Sequence, residues 1–160
     1  GFDCRVIAYD IYWNNEDASK LGVEYATIDR IQAESDIISL HVPLTPQTAG
    51  MIDAEFLSKM KRNAILINTA RGGLVVANDL ADALNRGIIA GAGMDVFTPE
   101  PPLPNNPILT ARNTVLMPHS GACTIESHEK AGMMAAKNVV DFFSKKVVKT
   151  ILNPTYKDNL

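Results

Sequence analysis

The sequence predicts a doubly wound α/β fold, a mostly parallel sheet with helices on its faces, and three observations predict it. Short β-branched apolar runs alternate with helix-period segments along the chain. Runs such as Ala64-Ile65-Leu66-Ile67 are apolar at every position, as in strands buried on both faces. Several runs also end in a turn bearing one charged or polar residue, and open α/β sheets bind ligands beyond the carboxyl ends of their strands.

Composition narrows the function class. The 160 residues are long enough to bury a real core, and 46% hydrophobic with 21% charged content fits a globular protein rather than a disordered or fibrous one. A net charge of −3, with acids and bases interleaved, lacks the basic footprint of a nucleic-acid binder. No apolar run approaches the ~18 residues that span a bilayer, and no signal peptide opens the chain, so no membrane role is expected. Two cysteines, Cys4 and Cys123, lie far apart in sequence and suggest free thiols in a reducing compartment, with cytoplasm the inference.

The elements follow in order. Gly1 before the β-rich run Cys4 to Asp10 resembles the end of a preceding helix, so the chain is expected to start mid-domain. A polar loop leads to a short helix near Asp17 to Leu21, a strand Val23 to Ala26 and a helix Ile28 to Glu34. Asp36 to Val42 reads as a strand broken by Pro43 and the turn-rich Leu44-Thr45-Pro46-Gln47-Thr48. Asp53 can cap a helix running to about Lys59, because its carboxylate accepts an orphan N–H. The strand Ala64 to Asn68 ends at Asn68-Thr69-Ala70-Arg71-Gly72-Gly73. A helix over Asn78 to Asn85 places Leu80, Ala83 and Leu84 on one face and ends at Gly87. Gly91 to Phe97 is a strand tolerating close backbone approach, Thr98 to Pro107 is an irregular proline-rich loop, and Thr114 to Met117 is a strand stopped by Pro118. The last helix spans Thr124 to Phe143, with Met134, Val139, Phe142 and Phe143 expected to be buried.

Three strand ends each offer one chemically useful residue: Arg71, Glu100 and His119. Parallel strands bring such loops to one edge of the sheet despite wide sequence separation. A guanidinium grips a carboxylate through two parallel N–H···O bonds, which a lysine cannot match. A histidine paired with a carboxylate has its imidazolium stabilised and its tautomer fixed, which suits a general acid/base. Alone, each residue is more often a solvated turn or a structural side chain; together they fit redox chemistry at the carbon beside a carboxylate. Asp10 ends an early strand, where an acid accepts hydrogen bonds from a ribose and repels a 2′-phosphate, favouring NAD over NADP. Such an acid lies ~20 residues beyond the glycine fingerprint, which therefore falls ~10 residues before Gly1. Gly91-Ala92-Gly93 is no substitute, since Val96 stands at the third glycine and a strand follows instead of a helix.

His41-Val42-Pro43-Leu44-Thr45, Ile67 to Gly73, Gly91 to Phe97 with Glu100-Pro101, and Pro118-His119-Ser120-Gly121 closely resemble the D-isomer-specific 2-hydroxyacid dehydrogenases, which include phosphoglycerate dehydrogenase and hydroxypyruvate or glyoxylate reductases. The resemblance runs from about Val6 to Pro154. It implies a Rossmann-type NAD-binding domain over residues 1–152, lacking its first strand and glycine loop, with 153–160 starting a crossover towards an absent substrate domain. It implies that Arg71 binds the substrate carboxylate and carbonyl oxygen and that His119 is the acid/base with Glu100 as partner. Asp10 is expected to hold the ribose, Val42, Pro43 and Thr48 to line the adenosine and phosphate side, and Thr69, Ala70, Asp95 and Gly121 to position the nicotinamide end, with Arg71 and His119 bordering it; no metal is expected. Ser120 replaces the usual isoleucine, and Cys123, expected to be a small core residue, stands where a small residue is common.

In the strand order 3-2-1-4-5-6 the missing strand is central, so its two neighbours should show unpaired edges. The chain is accordingly expected to be a fragment that alone binds NAD poorly and has no turnover. The resemblance also implies a homodimer through the NAD-binding domain, with the turn around Thr45 to Met51 and the helix after it as the contact surface. A competing reading is a non-catalytic NAD-sensing module of corepressor type, against which the lack of long basic or disordered extensions weighs. Formate dehydrogenase, a relative, is disfavoured because it typically carries Gln where Glu100 stands.

Overall fold

The computed structural model describes residues 3–144, 148, 150–153 and 155. The chain falls into two compact units, Gly1–Ser120 and Gly121–Leu160. The boundary expected near residue 152 therefore lies inside the second unit, and the expected tail from 153 onward lies almost wholly outside the described residues.

The first unit runs β1 (Val6–Ala8), α1 (Asn15–Leu21), β2 (Val23–Tyr25), α2 (Ile28–Glu34), β3 (Ile37–Leu40), α3 (Ala54–Ser58), β4 (Ile65–Asn68), a 3-10 turn (Gly72–Leu74), α4 (Ala77–Arg86), β5 (Gly91–Met94), a second 3-10 turn (Pro107–Thr110) and β6 (Thr114–Leu116). Every strand pairing is parallel. The strands form two sheets, β1-β2 and β3-β4-β5-β6. Among the described residues β1 pairs only with β2 and β3 only with β4, which leaves the two edges expected from a missing shared neighbour. A cleft lies between these edges, lined by Val6 to Asp10 on one side and Ile37 to Val42 on the other.

Helix ends follow local chemistry. The Asn14 side chain caps α1, Thr27 caps α2 and Asp53 caps α3, each accepting a backbone N–H from the first turn. Gly22 and Gly87 close α1 and α4 with φ of 66° and 68°, a conformation that a residue with a Cβ adopts only under strain. α1 begins two residues earlier than the sequence expectation, at Asn15, and α4 gains one residue at each end, Ala77 and Arg86. The strands are shorter than expected, because pairing stops where each turn at the sheet edge begins.

One face of the larger sheet is well covered. Register places Ile38, Leu66 and Ala92 in one row and Leu40, Asn68 and Met94 in the next, and all six are buried. Leu57, Leu66, Leu74 and Leu80 reach 0% exposure, each worth roughly 1.5–3 kcal/mol of burial. α4 buries Leu80, Ala81, Ala83 and Leu84, the expected face plus one alanine. Cover on the opposite face is uneven: Ile37, Ile65 and Val115 retain substantial exposure. The loop after β3 is laced to the turn after β4, since Gly50 N donates to Gly73 O, Ile52 N to Leu74 O and Val76 N to Ile52 O.

The second unit is dominated by α5 (Ile125–Phe143), capped by the Thr124 hydroxyl, which accepts the Ser127 N–H at 3.1 Å. No residue of α5 is buried, and Met134, Val139 and Phe143 are exposed, contrary to expectation. Helical periodicity marks an apolar stripe; it does not supply the element that covers it. No helix among the described residues is long and apolar enough to cross a membrane.

Candidate active site

The site is built at the carboxyl ends of β4, β5 and β6, three strands adjacent in both sequence and sheet. β4 ends in Asn68, a polar residue with 0% exposure at the close of an apolar run. Its backbone carbonyl accepts the Asp95 N–H, at 3.0 Å, tying the end of β4 to the residue after β5. Its side-chain Oδ1 accepts the Ala70 N–H and its Nδ2 donates to the Arg71 carbonyl, both at 3.0 Å. One buried amide thus fixes both sides of the turn that carries Arg71. The Arg71 guanidinium stays exposed, with Nη1 donating to Ala70 O at 2.6 Å, and among the described residues its other N–H groups make no hydrogen bond.

Gly72 sets how closely this turn approaches the next. A Cβ at that position would lie 2.1 Å from the Phe97 carbonyl carbon, 2.2 Å from its oxygen and 2.5 Å from its Cα. No side chain fits there, so glycine is required by proximity rather than by its φ. Beyond β5, the Phe97 N–H donates to Glu100 Oε1 at 2.8 Å. Glu100 Oε2 meets His119 Nδ1, also at 2.8 Å. The Phe97 N–H, then the His119 hydrogen bond and, more weakly, the Arg71 charge hold the Glu100 carboxyl below its ordinary 4.5, while desolvation opposes them. Glu100 is therefore a carboxylate at neutral pH.

His119 has a φ of 56°, in the left-handed region, directly after Pro118. That turn is stitched back to β5: Asp95 Oδ1 accepts the Ser120 N–H at 2.8 Å, and Asp95 is buried. Ser120 contributes a backbone group here, which any non-proline residue supplies, so its departure from the family pattern leaves this bond intact. Strain at a polar residue pinned from two sides is a common feature of functional positions.

The structure thus brings Arg71, Glu100 and His119 to one edge, with Thr69, Ala70 and Asp95 among them. Thr69 is exposed, whereas the Ala70 N–H is already held by Asn68. At the cleft between β1 and β3, Asp10 is the lining carboxylate, flanked by Ala8, Tyr9, His41 and half-buried Val42, with Met51, Ile52 and Phe56 beneath. An apolar cleft with one acid at its mouth suits the base and diol of a nucleoside, so the donor set fits NAD. Pro43 and Thr48 lie in the following loop. There Thr48 Oγ1 donates to Pro43 O at 2.7 Å and accepts the Thr45 N–H at 2.8 Å, closing the turn. Gly121 falls in the second unit. Cys123 is exposed rather than a core residue, in the short turn of small residues before α5. No group of three or more metal-ligating side chains occurs among the described residues.

Asn68, Gly72 and the Phe97 N–H carry positioning roles that the sequence reading missed. A polar residue closing an all-apolar strand was the available signal for Asn68. The other two depend on a distance between loops, which no local pattern encodes.

Comparison with known proteins agrees with this architecture. Residues 1–121 match the family described as D-isomer specific 2-hydroxyacid dehydrogenase, NAD binding domain. The chain is 42% identical over 153 residues to a glyoxylate reductase of Korarchaeum cryptofilum, covering 96% of this chain and 46% of that protein. It is 44% identical over 138 residues to a D-3-phosphoglycerate dehydrogenase of Mycobacterium bovis, covering 86% and 26% respectively. The crystal structure of the D-isomer specific 2-hydroxyacid dehydrogenase from Lactobacillus delbrueckii ssp. bulgaricus in its NAD complexed form superposes with a TM-score of 0.85 at 33% identity, over 92% of this chain and 48% of that one. The chain thus spans about half, or less, of the length of these relatives. By its matched residues and its parallel sheet, the chain belongs to the D-isomer specific 2-hydroxyacid dehydrogenase family, of whose NAD-binding domain it carries a part.

Proposed function

We propose that the protein carrying this chain transfers a hydride between NAD(H) and the C2 carbon of a 2-hydroxy/2-keto acid pair, with D specificity where the hydroxy acid is chiral and with glyoxylate, hydroxypyruvate or 3-phosphoglycerate type substrates in view. The observation that carries the proposal is the bonded pair His119 Nδ1 and Glu100 Oε2, at 2.8 Å, held beside Arg71. Arg71 grips the substrate carboxylate through paired N–H donors and sets the carbonyl carbon in place. NAD(H), when bound, would supply the hydride to that carbonyl carbon, leaving an alkoxide on the substrate. With Nδ1 committed to Glu100, Nε2 of His119 delivers the proton to the alkoxide oxygen, and in the oxidative direction it takes the hydroxyl proton back. Glu100 stays ionised throughout and stabilises the imidazolium before transfer. Asp10, Val42, Pro43 and Thr48 would hold the adenosine and phosphate side, and Thr69, Ala70, Asp95 and Gly121 the nicotinamide end, with Arg71 and His119 bordering both ring and substrate.

Names of the relatives support this substrate class, and the two distant cysteines support a reducing, cytoplasmic setting. A homodimer through the NAD-binding domain is part of the proposal, and sedimentation of the natural polypeptide tests it. The activity test is reduction of glyoxylate and hydroxypyruvate with NADH by the natural polypeptide and its His119→Ala variant. A loss of about 10²–10⁴-fold in kcat is the result expected from removing a general acid. Absence of turnover in both, with NAD binding retained, would instead identify a non-catalytic NAD sensor.

A further inference from the structure

We propose that Trp13 and Tyr25 are positioning residues that lock the Asp10 carboxylate for recognition of the adenosine ribose, and so set the preference for NADH over NADPH. The inference rests on the reading of Asp10 as the ribose acceptor given above.

Asp10 lies two residues beyond β1, a strand of only three residues, in a loop otherwise exposed to water. Left alone, such a loop samples many conformations and would present its carboxylate poorly. Several contacts hold it instead. The Trp13 Nε1–H donates to the Asp10 carbonyl at 2.8 Å, and the Tyr12 N–H donates to Asp10 Oδ1 at 2.9 Å. The Trp13 ring stacks on Tyr25, with centroids 4.9 Å apart and planes within 5°. The Asn14 N–H donates to the Tyr25 hydroxyl at 3.0 Å. Tyr25 is itself anchored, because it pairs with Ala8 in the β1-β2 ladder and the Ala26 N–H donates to Ala8 O at 2.8 Å.

These contacts form a closed frame from the strand to the acid and back. Tyr25 is the platform, Trp13 lies flat on it, and the indole N–H reaches over to fix the backbone of Asp10. The carboxylate is then fixed through one oxygen, while Oδ2 accepts no hydrogen bond among the described residues. An acid held in this way can accept from both hydroxyls of a diol without first paying the entropy of being ordered. The same rigidity keeps its charge where a 2′-phosphate would have to sit, so the frame sharpens rejection as well as binding. Trp13 remains half in water, with 56% exposure, so burial alone does not account for an indole here.

The test is direct binding of NADH and NADPH to the natural polypeptide, read by reduced-nicotinamide fluorescence, for the wild type and for Trp13→Ala, Trp13→Phe and Asp10→Ala. Losing the hydrogen bond and the stack should raise the NADH dissociation constant about tenfold in Trp13→Ala, with NADPH changed less than about twofold. Trp13→Phe keeps a ring on Tyr25 but loses the N–H donor, and an intermediate loss of about threefold is expected; it carries the test should the alanine variant fail to fold. In Asp10→Ala the two constants should converge. If Asp10→Ala abolishes the preference while both Trp13 variants keep it, the positioning role is overturned and the reading of Asp10 stands. Equal weakening of both nucleotides by the Trp13 variants overturns it in the same way. If Asp10→Ala leaves the preference intact, the reading of Asp10 falls, and the proposal falls with it.

Discussion

Replacing Gly72 with alanine should uncouple the site without touching any group that performs chemistry. The new Cβ would sit 2.1 Å from a backbone carbon of Phe97, where an ordinary contact begins near 3.4 Å. The Arg71 turn and the Phe97 turn must therefore part by about 1.3 Å, and neither can yield by rotating a side chain, because every atom met is backbone. Asn68 and Asp95 hold the two turns from below, so the strain opens the edge that carries Arg71 and Glu100. Overpacking of this kind costs about 1–3 kcal/mol of stability, and a misplacement of about 1 Å can cost ~10²-fold in rate. We expect kcat/KM for a 2-keto acid to fall about a hundredfold in Gly72→Ala. The control is Gly22→Ala, at the end of α1, where φ is 66° and nothing lies within 4 Å. That variant should lose about 1 kcal/mol through backbone strain and keep its activity. Both are measured by steady-state kinetics and urea unfolding of the natural polypeptide. If Gly72→Ala loses stability as Gly22→Ala does but keeps kcat/KM within about threefold, the reasoning about loop proximity is refuted.

Other outcomes follow from the same contacts. Arg71→Lys keeps the charge but loses the paired donors, so KM for the keto acid should rise about 10- to 100-fold, with a smaller change in kcat. Asn68→Ala leaves the Ala70 N–H and the Arg71 carbonyl without their partner in a half-buried turn, and urea unfolding should show a loss of about 1 kcal/mol or more. The Glu34 carboxyl is held down to about 2, first by Arg30 and then by Arg5, against an ordinary value of 4.5. A depressed carboxyl stabilises the fold above 4.5 and loses that contribution as pH falls towards about 2. The Tm gap between the wild type and Glu34→Gln should therefore be present near neutrality and vanish across that window. It should also be small, since Arg5 is exposed and Arg30 only half-buried, so water screens both pairs.

Alternation of apolar runs with helix-period segments was enough to place every strand, because strand and helix leave different periods in a sequence. Arg71, Glu100 and His119 were recognisable because each follows an apolar run that must end at a sheet edge. Strand lengths were overestimated because apolar residues continue past the last ladder bond, as Val96 and Phe97 do: both are buried beyond the end of β5. Both 3-10 turns were missed, since Gly72–Leu74 and Pro107–Thr110 carry no periodicity of their own. The role of Trp13 was equally invisible, because its partner Tyr25 lies on a different element and the stack exists only once β1 and β2 pair.

The division of the strands into a pair and a quartet has a consequence for how the unit breathes. Two three-residue strands hold few hydrogen bonds, and a two-stranded ribbon is marginal by itself. The quartet is anchored by fully buried leucines and by consecutive βαβ connections of short range. Amide hydrogen exchange should therefore show two populations: β1 and β2 opening at low free energy, and β4 and β5 protected up to the global limit. The machinery for proton transfer would then ride on the slow-opening part and the nucleoside-facing acid on the fast one. The Trp13–Tyr25 frame fixes Asp10 while the ribbon is closed, so opening of β1 and β2 would release the nucleoside end and leave the geometry of the chemical step rigid.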